Sequence, residues 1–504
     1  MNICSLLRAN AQHNPDKPAI IFENRSWSNH EMLVQTEKLA AGMRAMGLQK
    51  GDRLAIYGYN SAEWVITYLA ATVAGLIVVP ISFRTKPEEL RHMFTKAGIN
   101  GVAFDASLIS YIEDLRNPFQ NLKYLTLTGD APSWASSWQQ VQTLADAKLS
   151  FSEEPGLTDG QSICFTSGTT GMPKGVLLTQ ANVLLGQHIN CTSVFPFTGE
   201  DVFVISTPLV HRTGWGRLVQ AMGLGATACI LPTPFETDEL IKIIINNQAT
   251  VVGMVPTMAR MVLQRCSQEQ LDGLKSWKAI LLTGERCPED LKTDFAKQLP
   301  QVGLYTFYAS TETGMISCLG PEHQVTKPSS VGTVVPIMEL KLDPEGEILV
   351  RSGHPGQFAV MSGYYDDPAA STQVIEDGWY HTGDVGLFDD EGILYIVDRK
   401  KDLIITGGLN VSSREVEEII CRHPQVVEAA VVSIPDPLWG EAIRAFCVVE
   451  GNVSPDEILK FCDQNLPGYK RPKFVEFIDE LPRNTNGKVI KHLLKKIPLQ
   501  QEVC

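Results

Sequence analysis

No two cysteines of the chain are spaced C-x-x-C, and the eleven present (4, 164, 191, 229, 266, 287, 318, 421, 447, 462 and 504) are odd in number. That excludes a fully paired disulfide frame and the common structural zinc spacing, so reduced thiols in a reducing compartment are expected. Basic residues are in deficit. With 43 Lys and Arg against 57 Asp and Glu the formal charge is −14, and the overall field repels nucleic acid and anionic membrane surfaces. The opening residues hold no charged leader followed by a long apolar stretch, and a cytoplasmic protein without a membrane span is expected. Long apolar runs are scarce as well. One uncharged stretch, Trp64 to Phe83, has the length of a span, but Thr67, Tyr68, Thr72, Gly75 and Pro80 interrupt it. It reads instead as a short buried helix near 61–74 and an interior strand at 76–80. Fixed-period repeats and low-complexity tracts are absent, which excludes solenoids and propellers.

What is present is alternation. Ser28 with Glu31 forms a capping box that opens a helix to about Met46, and the strand Arg53–Tyr57 follows. After the helix and strand of 61–80 come a proline-started helix from Pro87 to Lys96 and a strand Gly101–Phe104. Such alternation builds a parallel sheet covered by helices. A second series begins at Asp201–Ile205 and continues through strands near 226–231, 250–255, 279–283 and 303–307. From 332 to 397 the texture changes to short strands and turns, as in Glu339–Leu342, Asp343–Gly346 and Glu347–Val350, which predicts an antiparallel β subdomain. Beyond the charged run Asp398–Asp402, helical patterns at 412–422, 454–464 and 488–496 with interleaved strands predict a separate α+β unit. The fold class is α/β: a large domain over 1–399 made of two wound α/β subdomains plus the antiparallel β subdomain, then a small α+β domain over 400–504.

The most informative stretch is Ser162-Ile-Cys-Phe-Thr166-Ser167-Gly168-Thr169-Thr170-Gly-Met-Pro173-Lys174-Gly175. An apolar strand runs into hydroxyls, glycines and one lysine, a composition that cradles a polyphosphate with backbone N–H groups and a cation. The P-loop spacing G-x-x-x-x-G-K-[ST] is not met, because Pro173 stands where its second glycine belongs and Gly175 follows Lys174. The segment T-S-G-T-T-G-x-P-K-G resembles the signature of the adenylate-forming superfamily, which includes acyl- and aryl-CoA synthetases, peptide-synthetase adenylation domains and firefly-type luciferases.

Further motifs resemble that family in order. Tyr308-Ala309-Ser310-Thr311-Glu312 is similar to Y-G-x-T-E; the resemblance implies stacking of Tyr308 on adenine, contact of Thr311 with phosphate, and magnesium held through Glu312 and Thr166. Gly378-Trp-Tyr-His-Thr-Gly-Asp384 resembles G-W-x-x-T-G-D, which implies that Asp384 accepts the ribose hydroxyls. Asp398-Arg399-Lys400-Lys401-Asp402 with Gly407-Gly408 resembles the family hinge: Arg399 toward ribose or phosphate, Lys401 at the pivot of a mobile small domain, and the glycines beside pantetheine. Thr283-Gly284-Glu285 resembles the adenine-side loop, Pro208-Leu-Val-His211 the segment lining the acyl channel, and Pro482-Arg-x-x-x-Gly-Lys488 the terminal motif with the catalytic lysine. One departure stands out: Val411-Ser412-Ser413-Arg414-Glu415 replaces an aromatic-proline pair, and Ser412 with Glu415 reads as a capping box that keeps the helix start.

The resemblance implies activation of a small-molecule carboxylic acid by ATP and Mg²⁺ to an acyl adenylate, followed by transfer to coenzyme A. A separate carrier protein is the alternative acceptor, and a homodimer the default assembly. Trp215, Leu218, Met222, Phe307 and Met315 lie near the acyl-channel motifs or in the core. No Lys or Arg is evidently placed for a second carboxylate, so the acid is expected to be a fatty or other apolar monocarboxylate.

Overall fold

The computed structural model describes residues 2–144, 154–166, 172–483 and 489–499. By packing, the chain divides into two units: Met1–Leu340 with Val350–His381 and Asp390–Leu394, and Lys341–Leu349 with Thr382–Asp389 and Tyr395–Cys504.

The first unit contains two large sheets. One has nine strands, in the order Thr333–Val334, Gly314–Leu319, Gly303–Ser310, Ala279–Leu282, Val251–Met254, Val202–Ile205, Thr227–Ile230, Pro18–Phe22 and Arg25–Ser28. Pairing is parallel from Gly303–Ser310 to Pro18–Phe22 and antiparallel at both ends. The second series read from sequence is thus one sheet, with an N-terminal hairpin added that the alternation did not foretell. The other sheet has eight strands and runs parallel from Gly160–Thr166 through Ile77–Ile81, Arg53–Tyr57, Gly101–Phe104 and Lys123–Thr126 to Ser136–Ser137. Parallel sheets need both faces covered, which is why strands such as Gly101–Phe104 and Val251–Met254 are buried throughout.

The uncharged stretch resolves as the helix Ala62–Val73, buried from Ala62 through Val73 save Glu63, and the strand Ile77–Ile81. Among the described residues no helix is long and apolar enough to cross a membrane. Ser28 and Glu31 cap the helix Asn29–Ala45 reciprocally, as the motif predicts. All ten described cysteines are free.

The second unit is built on a five-stranded sheet in which Val426–Asp436 and Gly440–Val449 form a long antiparallel pair and Phe474–Phe477 runs parallel to the latter. The helices Ser413–Ile420 and Pro455–Asn465 bury Val416, Ile420, Ile458 and Cys462 against Ile404, Val431, Ile443 and Ala445. Ser412 caps the first helix through the Glu415 N–H, but Glu415 does not return the bond; its carboxylate binds Lys470 Nζ at 2.6 Å. Asp398 caps the next donor: its buried Oδ2 accepts the Ser413 N–H at 2.6 Å and the Ser413 hydroxyl at 2.7 Å. The charged run is therefore no solvated linker at its first residue.

Candidate active site

In the first unit the hairpin of Gly160–Thr166 and Lys174–Thr179 sets Thr166 opposite Lys174. Ser167, Gly168, Thr169 and Thr170 lie outside the described residues. Lys174 Nζ sits over the Tyr364 ring, 5.1 Å from its centroid, because the short strand Gly363–Tyr364 adds to the edge of the same hairpin.

Glu312 occupies the turn between the antiparallel strands Gly303–Ser310 and Gly314–Leu319. The turn is fixed from several sides. Ser310 Oγ accepts the Thr313 N–H at 3.1 Å, and Gly314 closes the turn at φ 71°, where a Cβ would come within 2.9 Å of Arg212 Nη2. Glu312 Oε1 accepts the Thr166 hydroxyl at 3.5 Å and the Tyr364 hydroxyl at 3.4 Å, while the Glu312 carbonyl accepts the Met361 N–H at 2.7 Å. Tyr308 pairs across the ladder with Ser317, and the register shifts between Tyr308 and Ala309, which leaves Ala309 exposed beside the turn.

Buried Arg212 supports this turn from behind: its guanidinium donates to the Thr311 carbonyl and, at 3.5 Å, to the Asn182 carbonyl. Burial lowers its pKa to about 10, so it stays charged at neutral pH and faces Glu312. His211 precedes it at the start of the helix Arg212–Leu224. Burial, then the positive Arg84, hold the His211 imidazolium below its ordinary range, so the ring is neutral at pH 7. Gly284 turns at φ 101° after Ala279–Leu282, and Glu285 accepts the Thr257 hydroxyl at 2.9 Å. Trp215 is fully buried and stacks on Tyr68 at 6.0 Å, so of the apolar residues considered for the channel it belongs to the core.

Magnesium fits this oxygen-rich corner. Among the described residues no cluster of three or more His, Cys, Asp or Glu is assembled, but Mg²⁺ ordinarily takes one or two protein oxygens and completes its shell with phosphate and water. Glu312 and Thr166 supply that kind of donor pair.

In the second unit Asp384 is buried and its Oδ1 stands 2.8 Å from Arg399 Nε. Gly383 turns the strand at φ 70°, with its N–H on Glu347 Oε1 at 3.1 Å and its carbonyl accepting the Lys400 N–H at 2.8 Å. Lys400, not Lys401, carries the ion pairs here: Glu345 at 2.7 Å and Glu347 at 3.1 Å raise its pKa above the ordinary lysine range. Lys401 is exposed. Gly407 and Gly408 both take positive φ, 57° and 79°, and a Cβ on Gly407 would lie 2.9 Å from the Trp439 ring. Lys488 lies outside the described residues. Sequence reasoning missed Tyr364 and Arg212; only the adjacency of Arg212 to His211 offered a signal, since burial of an arginine is not legible from composition.

A model described as AMP-binding enzyme matches residues 7–365, and its C-terminal domain matches 415–488. A 2-succinylbenzoate–CoA ligase of Bacillus licheniformis is 31% identical over 97% of this chain and 98% of its own length. The O-succinylbenzoate coenzyme A synthetase (MenE) from Bacillus subtilis, in complex with ATP and magnesium ion, superposes with a TM-score of 0.84 at 27% identity, covering 97% of this chain and 99% of that one. ATP-bound MatB from Rhodopseudomonas palustris superposes at 0.85 with 27% identity over 98% of each chain.

Proposed function

The chain belongs to the AMP-binding enzyme family, and from that premise we propose that it converts an aromatic acid of the 2-succinylbenzoate kind to its coenzyme A thioester. It is an AMP-forming acid:CoA ligase that uses ATP, magnesium and coenzyme A. The observation that carries the choice of acid is the near full-length similarity to 2-succinylbenzoate–CoA ligases. The fatty or apolar monocarboxylate expected from sequence gives way to this acid, and coenzyme A is taken as acceptor ahead of a carrier protein.

In the first half-reaction an acid carboxylate oxygen forms a bond to the α-phosphorus of ATP, and the bond to the bridging oxygen breaks to release pyrophosphate. Charge builds on the phosphate oxygens, so the work of the protein is electrostatic. The segment from Thr166 to Lys174 donates to the phosphates, Lys488 adds a positive charge, and Arg212 holds the Glu312 turn in place. Magnesium, when bound through Glu312 and Thr166, neutralises the polyphosphate. Tyr308 and the Gly284–Glu285 loop take the adenine, while Asp384 and Arg399 take the ribose; an ionised carboxylate suits a diol because it accepts both hydroxyls. In the second half-reaction the thiol sulfur bonds to the acyl carbon as the bond to AMP breaks, with Gly407 and Gly408 leaving room for pantetheine. Residues 1–399 and 400–504 are proposed as the corresponding functional domains.

The test is to incubate the protein with Mg-ATP, coenzyme A and a pool of aliphatic and aromatic acids that includes 2-succinylbenzoate, and to identify thioesters by mass spectrometry. The 2-succinylbenzoyl thioester is expected to dominate. A fatty acyl thioester in its place overturns the choice of acid, and adenylate without thioester moves the acceptor to a carrier protein.

A further inference from the structure

The chain on both sides of Lys488 is described, and it is fastened at several points. Arg483 and Val489 pair as an antiparallel bridge, the Ile490 N–H bonds the Pro482 carbonyl at 2.7 Å, and Arg483 pairs with Glu428. The chain therefore leaves and returns at one place around Lys488. Further on, Leu494 is fully buried with Val432, Phe446 and Leu481. Buried Arg444, paired with Glu476 at 2.7 Å, donates to the Ile497 and Pro498 carbonyls at 2.6 and 2.9 Å. These contacts account for the attachment of the segment 489–499.

Lys491 adds a different kind of contact. Its Nζ donates to two acceptors on the helix Ser413–Ile420, Ser413 Oγ at 2.6 Å and Glu417 Oε1 at 2.7 Å. Their i, i+4 spacing sets both on one face of that helix. The Lys491 and Glu417 side chains are only 18% and 19% exposed, and Glu417 Oε1 also accepts the Val431 N–H at 2.8 Å. An ion pair sheltered in this way adds little net stability over an apolar contact of the same size, but its directional bonds fix register. The register reaches the ribose pair. Ser413 passes its own hydroxyl hydrogen to Asp398 Oδ2 at 2.7 Å, Asp398 Oδ1 accepts the Arg399 N–H at 2.7 Å, and Arg399 Nε stands 2.8 Å from Asp384. All of these residues belong to the second unit, and the chain of contacts ends three positions beyond Lys488. Its relay, Ser413, lies in the stretch Val411–Glu415 where the sequence departs from the aromatic-proline pair.

We infer that Lys491 is a positioning residue for adenylation: its bonds to Ser413 and Glu417 fix the segment that carries Lys488 against Asp398 and Arg399, so that the catalytic lysine keeps its place relative to the pair that takes the ribose. Lys491 acts through Lys488 and not on the reacting atoms. The inference rests on the reading of Lys488 as the adenylation lysine and deepens it.

The test is a mutant cycle in the full chain, read by single-turnover pyrophosphate release from Mg-ATP with the pool of acids that includes 2-succinylbenzoate. Lys491→Met is expected to slow release by about 10- to 100-fold, the cost of displacing a catalytic group by about an ångström, with the KM for ATP unchanged. Ser413→Ala, which keeps both charges and the backbone cap, falls in the same direction by a smaller factor, and Lys491→Arg restores most of the rate. Lys495→Gln, which frees the same segment from the Ser433 hydroxyl, is expected to stay within about twofold of wild type. In a Lys488→Ala background Lys491→Met should cost nothing more, because a residue that acts through another has no effect once that other is gone. An equal factor in both backgrounds, or an equal loss in Lys495→Gln, assigns Lys491 a structural role and overturns the inference, as does a normal rate in Lys491→Met. Because Lys491→Met leaves Glu417 without its cation, the pair Lys491→Met with Glu417→Gln is run beside it and carries the same expectation in a chain with neither charge. A normal rate in Lys488→Ala itself overturns the reading of that lysine and the inference with it, whereas loss in Lys488→Ala alone overturns only the inference.

Discussion

Thr166 and Glu312 are 146 positions apart and come from different sheets of the first unit, yet the threonine hydroxyl reaches the glutamate carboxylate at 3.5 Å. The contact joins the end of the phosphate segment to the turn that carries the acidic group. In the proposed mechanism one corner serves both metal and polyphosphate, and its shape depends on Arg212, Tyr364 and Gly314 holding the turn.

Glu312→Gln keeps the hydrogen-bonding shape and removes the charge. ATP–pyrophosphate exchange is expected to fall about 10²-fold, with the magnesium concentration for half-maximal rate rising. A lower rate with unchanged magnesium dependence would place the glutamate outside the metal's reach.

Lys488→Ala is expected to slow adenylation by about 10²- to 10³-fold, the usual loss when a charge aimed at the transition state is removed. Thioester formation from a supplied acyl adenylate should be much less affected. Equal loss in both halves would deny the lysine its assigned step.

His188 and His211 both have pKa values below the ordinary histidine value of 6.5, chiefly through burial. The folded chain therefore resists protons that the unfolded chain accepts. Stability is complete above about pH 6.5 and declines as pH falls through the window between that value and the depressed folded ones. The thermal midpoint should drop more steeply from pH 7 to pH 5.5 in wild type than in His188→Gln. Parallel slopes in the two proteins would remove His188 from the cause.

Asp398→Ala strips the helix Ser413–Ile420 of its buried cap and should cost about 1–2 kcal/mol. Amide hydrogen exchange across that helix is the direct readout, and faster exchange there than across Pro455–Asn465 is expected. Unchanged protection would show that Ser412 alone suffices.

Gly408→Val puts a branched side chain on a backbone at φ 79°, with no atom of the described residues within 4 Å of its Cβ. The strain is local, so adenylation should persist while thioester formation falls. Retention of both halves would leave the pantetheine channel elsewhere.

The alternation of helix and strand, the capping box at Ser28 and Glu31, and the order of the motifs from Thr166 to Lys488 were all legible in the chain itself, because each depends on neighbours within a few residues. The reaction class followed from the resemblance of those motifs to the adenylate-forming superfamily. The N-terminal hairpin 18–28 was not: it joins strand Thr227–Ile230, and no local pattern encodes a partner so distant. The capping box at Ser412 was half right: Ser412 accepts the Glu415 N–H, but the Glu415 carboxylate goes to Lys470, and Asp398, brought there by the tertiary fold, caps the Ser413 N–H. Arg212 and Arg217 mark the same boundary most clearly. As letters they are two cations on one helix; burial makes one the support of the Glu312 turn and leaves the other on Gln220 and the Phe307 ring, without a carboxylate partner among the described residues, because desolvation is a property of the surrounding fold and not of the residue.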